Sequence, residues 1–165
     1  RSDVAFDLIA ELEILVEAFE REHIEYAVCG GLAVGYHGFV RATKDIDLLV
    51  RGAQVADALR VARASGFDIP ARKITFGLAA GTPREVQRVS KMDPATGNML
   101  TLDLLVVAPD LEDVWKTRII IEPVAGKTMS IVSREGLATM KRMAGRPQDL
   151  VDLQRLENLD DDEEA

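Results

Sequence analysis

The segment Thr101-Leu-Asp-Leu-Leu-Val-Val107 sets one charged side chain in an otherwise apolar run. Residues alternate sides along a strand, so Leu102, Leu104 and Val106 take one face and Asp103 shares the other with Leu105 and Val107. A carboxylate among aliphatic neighbours needs a cation or hydrogen-bond donors, because burying it bare is costly. The segment Asp45-Ile-Asp-Leu-Leu-Val50 poses a related problem. Here Ile46, Leu48 and Val50 face the core, and Asp45 and Asp47 project together from the other face, roughly 6.5–7 Å apart along the chain. Two such charges repel unless a cation or a basic group lies between them. Taken alone, the pair also fits two solvated carboxylates on an edge strand. If the two segments are neighbouring strands, three carboxylates converge. That arrangement suits a two-metal site for phosphoryl or nucleotidyl transfer, with ions ~3.5–4 Å apart. Hard oxygen ligands favour magnesium.

Composition narrows the remaining choices. Nearly half of the 165 residues are apolar (47%), so wholesale disorder is excluded. The formal charge is −8, but five of the 28 acids lie between Asp160 and Glu164, leaving 23 acids against 20 bases. The excess is a tail, and nucleic acid is not indicated as a partner by the overall charge. One cysteine, Cys29, excludes an internal disulfide framework and a multi-thiolate zinc site. No apolar run approaches the ~20 residues of a membrane helix, and the opening Arg-Ser-Asp carries no signal-peptide pattern. The expectation is a cytoplasmic domain with no membrane association.

Helices and strands are interleaved along the chain. Leu8, Leu12, Leu15 and Phe19 recur at helical spacing and predict a helix over 3–22. A strand is expected over 24–29, a short helix over 32–38 and a strand over 45–50. A second amphipathic helix over 54–64 ends at Ser65-Gly66. Residues 73–78 allow a strand. The turn-rich Asp93-Pro-Ala-Thr-Gly-Asn98 predicts a hairpin between strands 84–92 and 99–107. A short helix over 110–116 and strands over 118–122 and 128–132 follow. Ser133 is a good N-cap for a helix carrying Leu137, Met140 and Met143, Gly145 suits its end, and Pro147 suits the first position of a last helix.

Gly30-Gly31 stands between a predicted strand and a predicted helix. Glycine lets backbone approach a ligand closely, and the following N–H groups suit a phosphate. Alone it reads first as a tight turn. Gly-Lys-Ser/Thr and Gly-x-Gly-x-x-Gly are both absent. The whole run Tyr26-Ala-Val-Cys-Gly-Gly-Leu-Ala-Val-Gly-Tyr-His-Gly-Phe-Val-Arg-Ala-Thr-Lys-Asp-Ile-Asp-Leu-Leu-Val50, with Asp103 on a later strand, resembles the nucleotidyltransferase superfamily. The segment from Leu137 to Leu153 is similar to the C-terminal helices of its small bacterial branch, related to abortive-infection and toxin–antitoxin nucleotidyltransferases. The resemblance covers residues 24–50, 99–107 and 133–157. Gly31 stands where many members have Ser, so a phosphate-binding hydroxyl is missing there.

The resemblance implies an α+β fold: a mixed sheet flanked by helices over 1–132, a helical segment packed on it over 133–159, and a disordered acidic tail over 160–165. It implies transfer of a nucleoside monophosphate from an NTP, with ATP expected, to an acceptor hydroxyl, releasing pyrophosphate. Asp45, Asp47 and Asp103 would be catalytic and would bind two Mg2+ ions, with Asp103 helping to deprotonate the acceptor. Gly30 and Gly31 would approach the triphosphate. Arg41, Lys44 and Lys141 are further candidates for nucleotide contact. For Arg41 and Lys44 the competing reading is a solvated surface base. For Lys141 with Asp149 it is an ion pair between the last two helices. Arg146, Asp152 and His37 have weaker claims, and Cys29 and Trp115 read as core. With no large second domain in the sequence, a protein partner or a homodimer mate is an open possibility for holding the acceptor. The alternative function is a non-catalytic nucleotide- or protein-binding partner of a toxin–antitoxin type system.

Overall fold

The computed structural model describes residues 7–39, 43–71, 74–76 and 84–164. They contain α1 (Leu8–Arg21), β1 (Ala27–Cys29), α2 (Gly30–Tyr36), β2 (Asp45–Val50), α3 (Val55–Ala64), β3 (Ile69–Pro70), β4 (Ile74–Phe76), β5 (Arg84–Met92), β6 (Met99–Val106), α4 (Glu112–Lys116), β7 (Ile119–Val124), β8 (Lys127–Ile131), α5 (Arg134–Ala144) and α6 (Pro147–Glu164). The chain divides into two compact units, one made of 1–26 and 44–106, the other of 27–43 and 107–165. Helices α5 and α6 fall in the same unit as β1, α2, β7 and β8.

In the first unit, β6 is the central strand. It pairs in parallel with β2 and antiparallel with β5, which also carries β3 and β4 on its far side. Mixed pairing arises because β5 and β6 are joined by a short turn, whereas β2 reaches β6 through a long connection holding a helix. In the turn the Asp93 carboxylate accepts from the Ala95 N–H at 3.0 Å, and Gly97 takes φ +74°. One face of the sheet presents Ile46, Leu48, Leu102, Leu104 and Val89, all buried. Lys91, on that same face, reaches Glu11 of α1 at 2.9 Å, so α1 lies on this side. Asp7 caps α1 by accepting from the Ala10 N–H. The helix then ends earlier than its periodicity suggests. His23 turns left-handed at φ +58°, and the Ile24 N–H bonds back to the Phe19 carbonyl. That closing turn consumes residues 22–24 and leaves only Ala27–Cys29 for β1.

In the second unit, β8 pairs in parallel with β1 and antiparallel with β7. Strand β1 runs straight into α2, so the helix starts on Gly30 and Gly31 rather than after them. Ser133 caps α5 by accepting from the Gly136 N–H at 3.0 Å. Gly145 ends it at φ +65°, a conformation that favours glycine, and Pro147 opens α6. No Gly or Pro follows Pro147, and α6 continues to Glu164. Among the described residues no helix is long and apolar enough to cross a membrane.

Candidate active site

Strand register decides where the carboxylates go. Asp47 of β2 stands directly beside Asp103 of β6, and Asp45 stands beside Thr101. Side-by-side residues of neighbouring strands project to the same face, with backbones ~4.8 Å apart. Asp45, Asp47 and Asp103 therefore share one face of the first unit's sheet, opposite the face that receives α1. On the other side of β6, Arg88 of β5 stands beside Asp103 and Ser90 beside Thr101. Two rungs result: Arg88–Asp103–Asp47 and Ser90–Thr101–Asp45.

Arg88 was not among the residues singled out from the sequence. Its Nε donates to Asp103 Oδ1 at 2.7 Å and its Nη2 to Oδ2 at 2.9 Å. This is a two-bond pairing of planar groups, the strongest form of side-chain ion pair. Asp103 is buried, with 9% of its side chain exposed, while Arg88 keeps 35%. The hydrogen bonds to Asp103 hold the Arg88 guanidinium above its usual pKa, and the charges of Asp103, Asp45 and Asp47 add to that effect. Burial, and then the charge of Asp103, push the Asp45 carboxyl above its ordinary value, against the opposing pull of Arg88 and Lys44. Asp45, Asp47, Asp103 and Arg88 thus act on one another electrostatically, and Lys44 adds to the pull on Asp45.

A signal for Arg88 was present in the chain. Met92 and Met99 close the hairpin. Counting four residues back along β5 and four forward along β6 reaches Arg88 and Asp103. A search for carboxylates alone passes over it.

Lys44 is exposed and immediately precedes β2. Arg41 lies outside the described residues. Gly30 and Gly31 form the first turn of α2, Gly30 at φ +68° and Gly31 buried. Lys141 takes the second of its two readings. Its ammonium lies 3.2 Å from Asp149 and 3.1 Å from Asp152, and all three side chains are at most 5% exposed. Arg146 closes the group by donating to Asp149 at 2.6 Å. Burial raises the Asp149 carboxyl, but the Arg146 hydrogen bond and the Lys141 charge together outweigh it and leave the pKa below the ordinary value. His37 Nε2 donates to the Val132 carbonyl at 2.8 Å, a structural link. Cys29 and Trp115 are buried.

The donor set on the carboxylate face is made of hard oxygens, which suits a divalent cation of the magnesium type. Asp45, Asp47 and Asp103 share that face, so the residue types fit such an ion. Among the described residues no three carboxylate, imidazole or thiol groups stand close enough to hold a metal ion as they are placed. Both oxygens of Asp103 are turned to Arg88.

No protein-family model matches the chain, and no curated protein matches it in sequence. Solved structures do match it in fold. A Thermotoga maritima protein provisionally assigned as a nucleotidyltransferase superposes with a TM-score of 0.63 at 14% identity, covering 91% of this chain and 92% of its own. ANT(2")-Ia, in complex with adenylyl-2"-tobramycin, gives 0.61 at 14% identity, covering 92% and 87%. The lincosamide antibiotic adenylyltransferase LnuA, with lincomycin bound, gives 0.56 at 14% identity, covering 90% and 95%. The chain therefore has the α+β fold of the nucleotidyltransferases.

Proposed function

We propose that the protein is a metal-dependent nucleotidyltransferase that moves a nucleoside monophosphate from an NTP to an acceptor hydroxyl, releasing pyrophosphate. The observation that carries this reading is the register that sets Asp47 beside Asp103, with Asp45 two residues away on the same face. The similar structures that are adenylyltransferases acting on antibiotics favour ATP as the nucleotide and a hydroxyl-bearing small molecule as the acceptor.

Asp45 and Asp47 would hold Mg2+, and Asp103 would join them once its oxygens are released. When bound, the metal supplies positive charge to the transferring phosphate and the leaving pyrophosphate. Asp103 would also help deprotonate the acceptor hydroxyl. Lys44, exposed at the start of β2, offsets phosphate charge.

Isothermal titration of the chain with ATP and Mg2+ tests this. The wild type should bind ATP in a Mg2+-dependent manner. Asp45→Ala and Asp47→Ala should lose that binding while keeping their circular-dichroism spectra. Absence of wild-type binding across the millimolar range overturns the proposal.

A further inference from the structure

We propose that Arg88 is the resident counter-ion of Asp103 and that it competes with the divalent cation for the same carboxylate. The inference rests on the functional reading above only in taking Asp103 to be a cation ligand. Three observations carry it. Both Asp103 oxygens are engaged by one guanidinium, at 2.7 and 2.9 Å. The pairing is built into the sheet, because Arg88 and Asp103 are opposite residues of the β5–β6 hairpin. And Arg88 is the less buried partner, 35% exposed against 9%, so it is the group with room to move.

Each Asp103 oxygen gives one lone pair to the guanidinium and keeps another, so competition is electrostatic: the fixed Arg88 charge opposes a cation at either oxygen, and a metal that needs the paired side displaces a hydrogen bond. The arginine offsets the charge of the buried Asp103 carboxylate. It yields Asp103 when a doubly charged ion brings a stronger field. Arg88 is thus a positioning residue that acts through Asp103. It sets how much free metal is needed before the carboxylates become ligands.

The test is Mn2+ binding, read from the electron paramagnetic resonance of free Mn2+, with no nucleotide present. The probes are wild type, Arg88→Gln and Arg88→Lys after removal of metal with EDTA. Arg88→Gln should bind Mn2+ about tenfold more tightly than wild type. That is the low end of what an adjacent opposite charge does to a carboxylate's competing equilibrium, chosen because Arg88 is partly solvated. Its thermal midpoint without metal should fall below that of wild type, and Mn2+ should raise it by more. Arg88→Lys keeps the charge but loses the two-bond pairing, and should fall between the two. If Arg88→Gln does not fold without metal, the Arg88→Lys comparison decides. Equal or weaker Mn2+ affinity in the variants overturns the proposal, as does absence of Mn2+ binding in all three. Pyrophosphate release by wild type, measured separately, keeps the two claims apart. Unchanged affinities with active wild type refute the competition alone, and tighter variants with an inactive wild type refute the reaction alone.

Discussion

Replacing Lys141 by Met keeps most of the side-chain stem and removes the ammonium from between Asp149 and Asp152. The two carboxylates are 1% and 0% exposed, so water cannot take the place of the lost charge. Asp149 retains Arg146, and Asp152 retains the Gln148 amide at 2.9 Å. Removing one partner from a buried ion pair costs about 3–5 kcal/mol, because the other charge stays desolvated. A chain of this size shifts its melting midpoint by roughly 2–4 °C per kcal/mol, so Lys141→Met should melt about 10 °C lower. The loss is a large fraction of the ~5–15 kcal/mol that holds a typical domain together. The assay is urea and thermal unfolding of wild type, Lys141→Met, Asp152→Asn and the double variant. The double variant should recover part of the loss, since neutralising Asp152 removes the charge that Lys141 balanced. A Lys141→Met chain within about 1 kcal/mol of wild type, but weakened in ATP affinity, would refute the reasoning and return Lys141 to the nucleotide.

Two further outcomes are expected. Asp45 has a raised pKa, so its ionised form is penalised in the folded state. That penalty is complete above the folded pKa and fades as pH falls toward the ordinary carboxylate value. Without metal at pH 7, Asp45→Asn should therefore melt higher than wild type, with a gap that narrows on acidification toward about pH 4. A lower midpoint, or a gap independent of pH in differential scanning calorimetry, refutes this. Ser133→Ala removes the oxygen that accepts from the Gly136 N–H at 3.0 Å and should cost about 1 kcal/mol in urea unfolding.

The covalent order of residues, with period-two alternation, assigned the faces of both carboxylate strands. It put Asp45 and Asp47 together, and it put Asp103 opposite Leu102 and Leu104. Local chemistry also set the caps at Ser133, Gly145 and Pro147, because a cap involves only residues within a turn of each other. The hairpin register that brings Arg88 to Asp103 was legible for the same reason: a short turn fixes which residues face each other. The need for a donor beside Asp103 is legible in its own strand, but the donor Arg88 lies on a different strand, and only the pairing of the two strands identifies it.

Tertiary structure alone decided that Asp47 lies beside Asp103. Strands β2 and β6 are parallel and joined by a long connection, so no turn encodes their register; burial of Ile46, Leu48, Leu102 and Leu104 on one shared face selects it. It also decided Lys141, whose flexible stem reaches either a ligand or a neighbouring helix. The choice fell to Asp149 and Asp152 because the packing of α5 on α6 excludes water from all three.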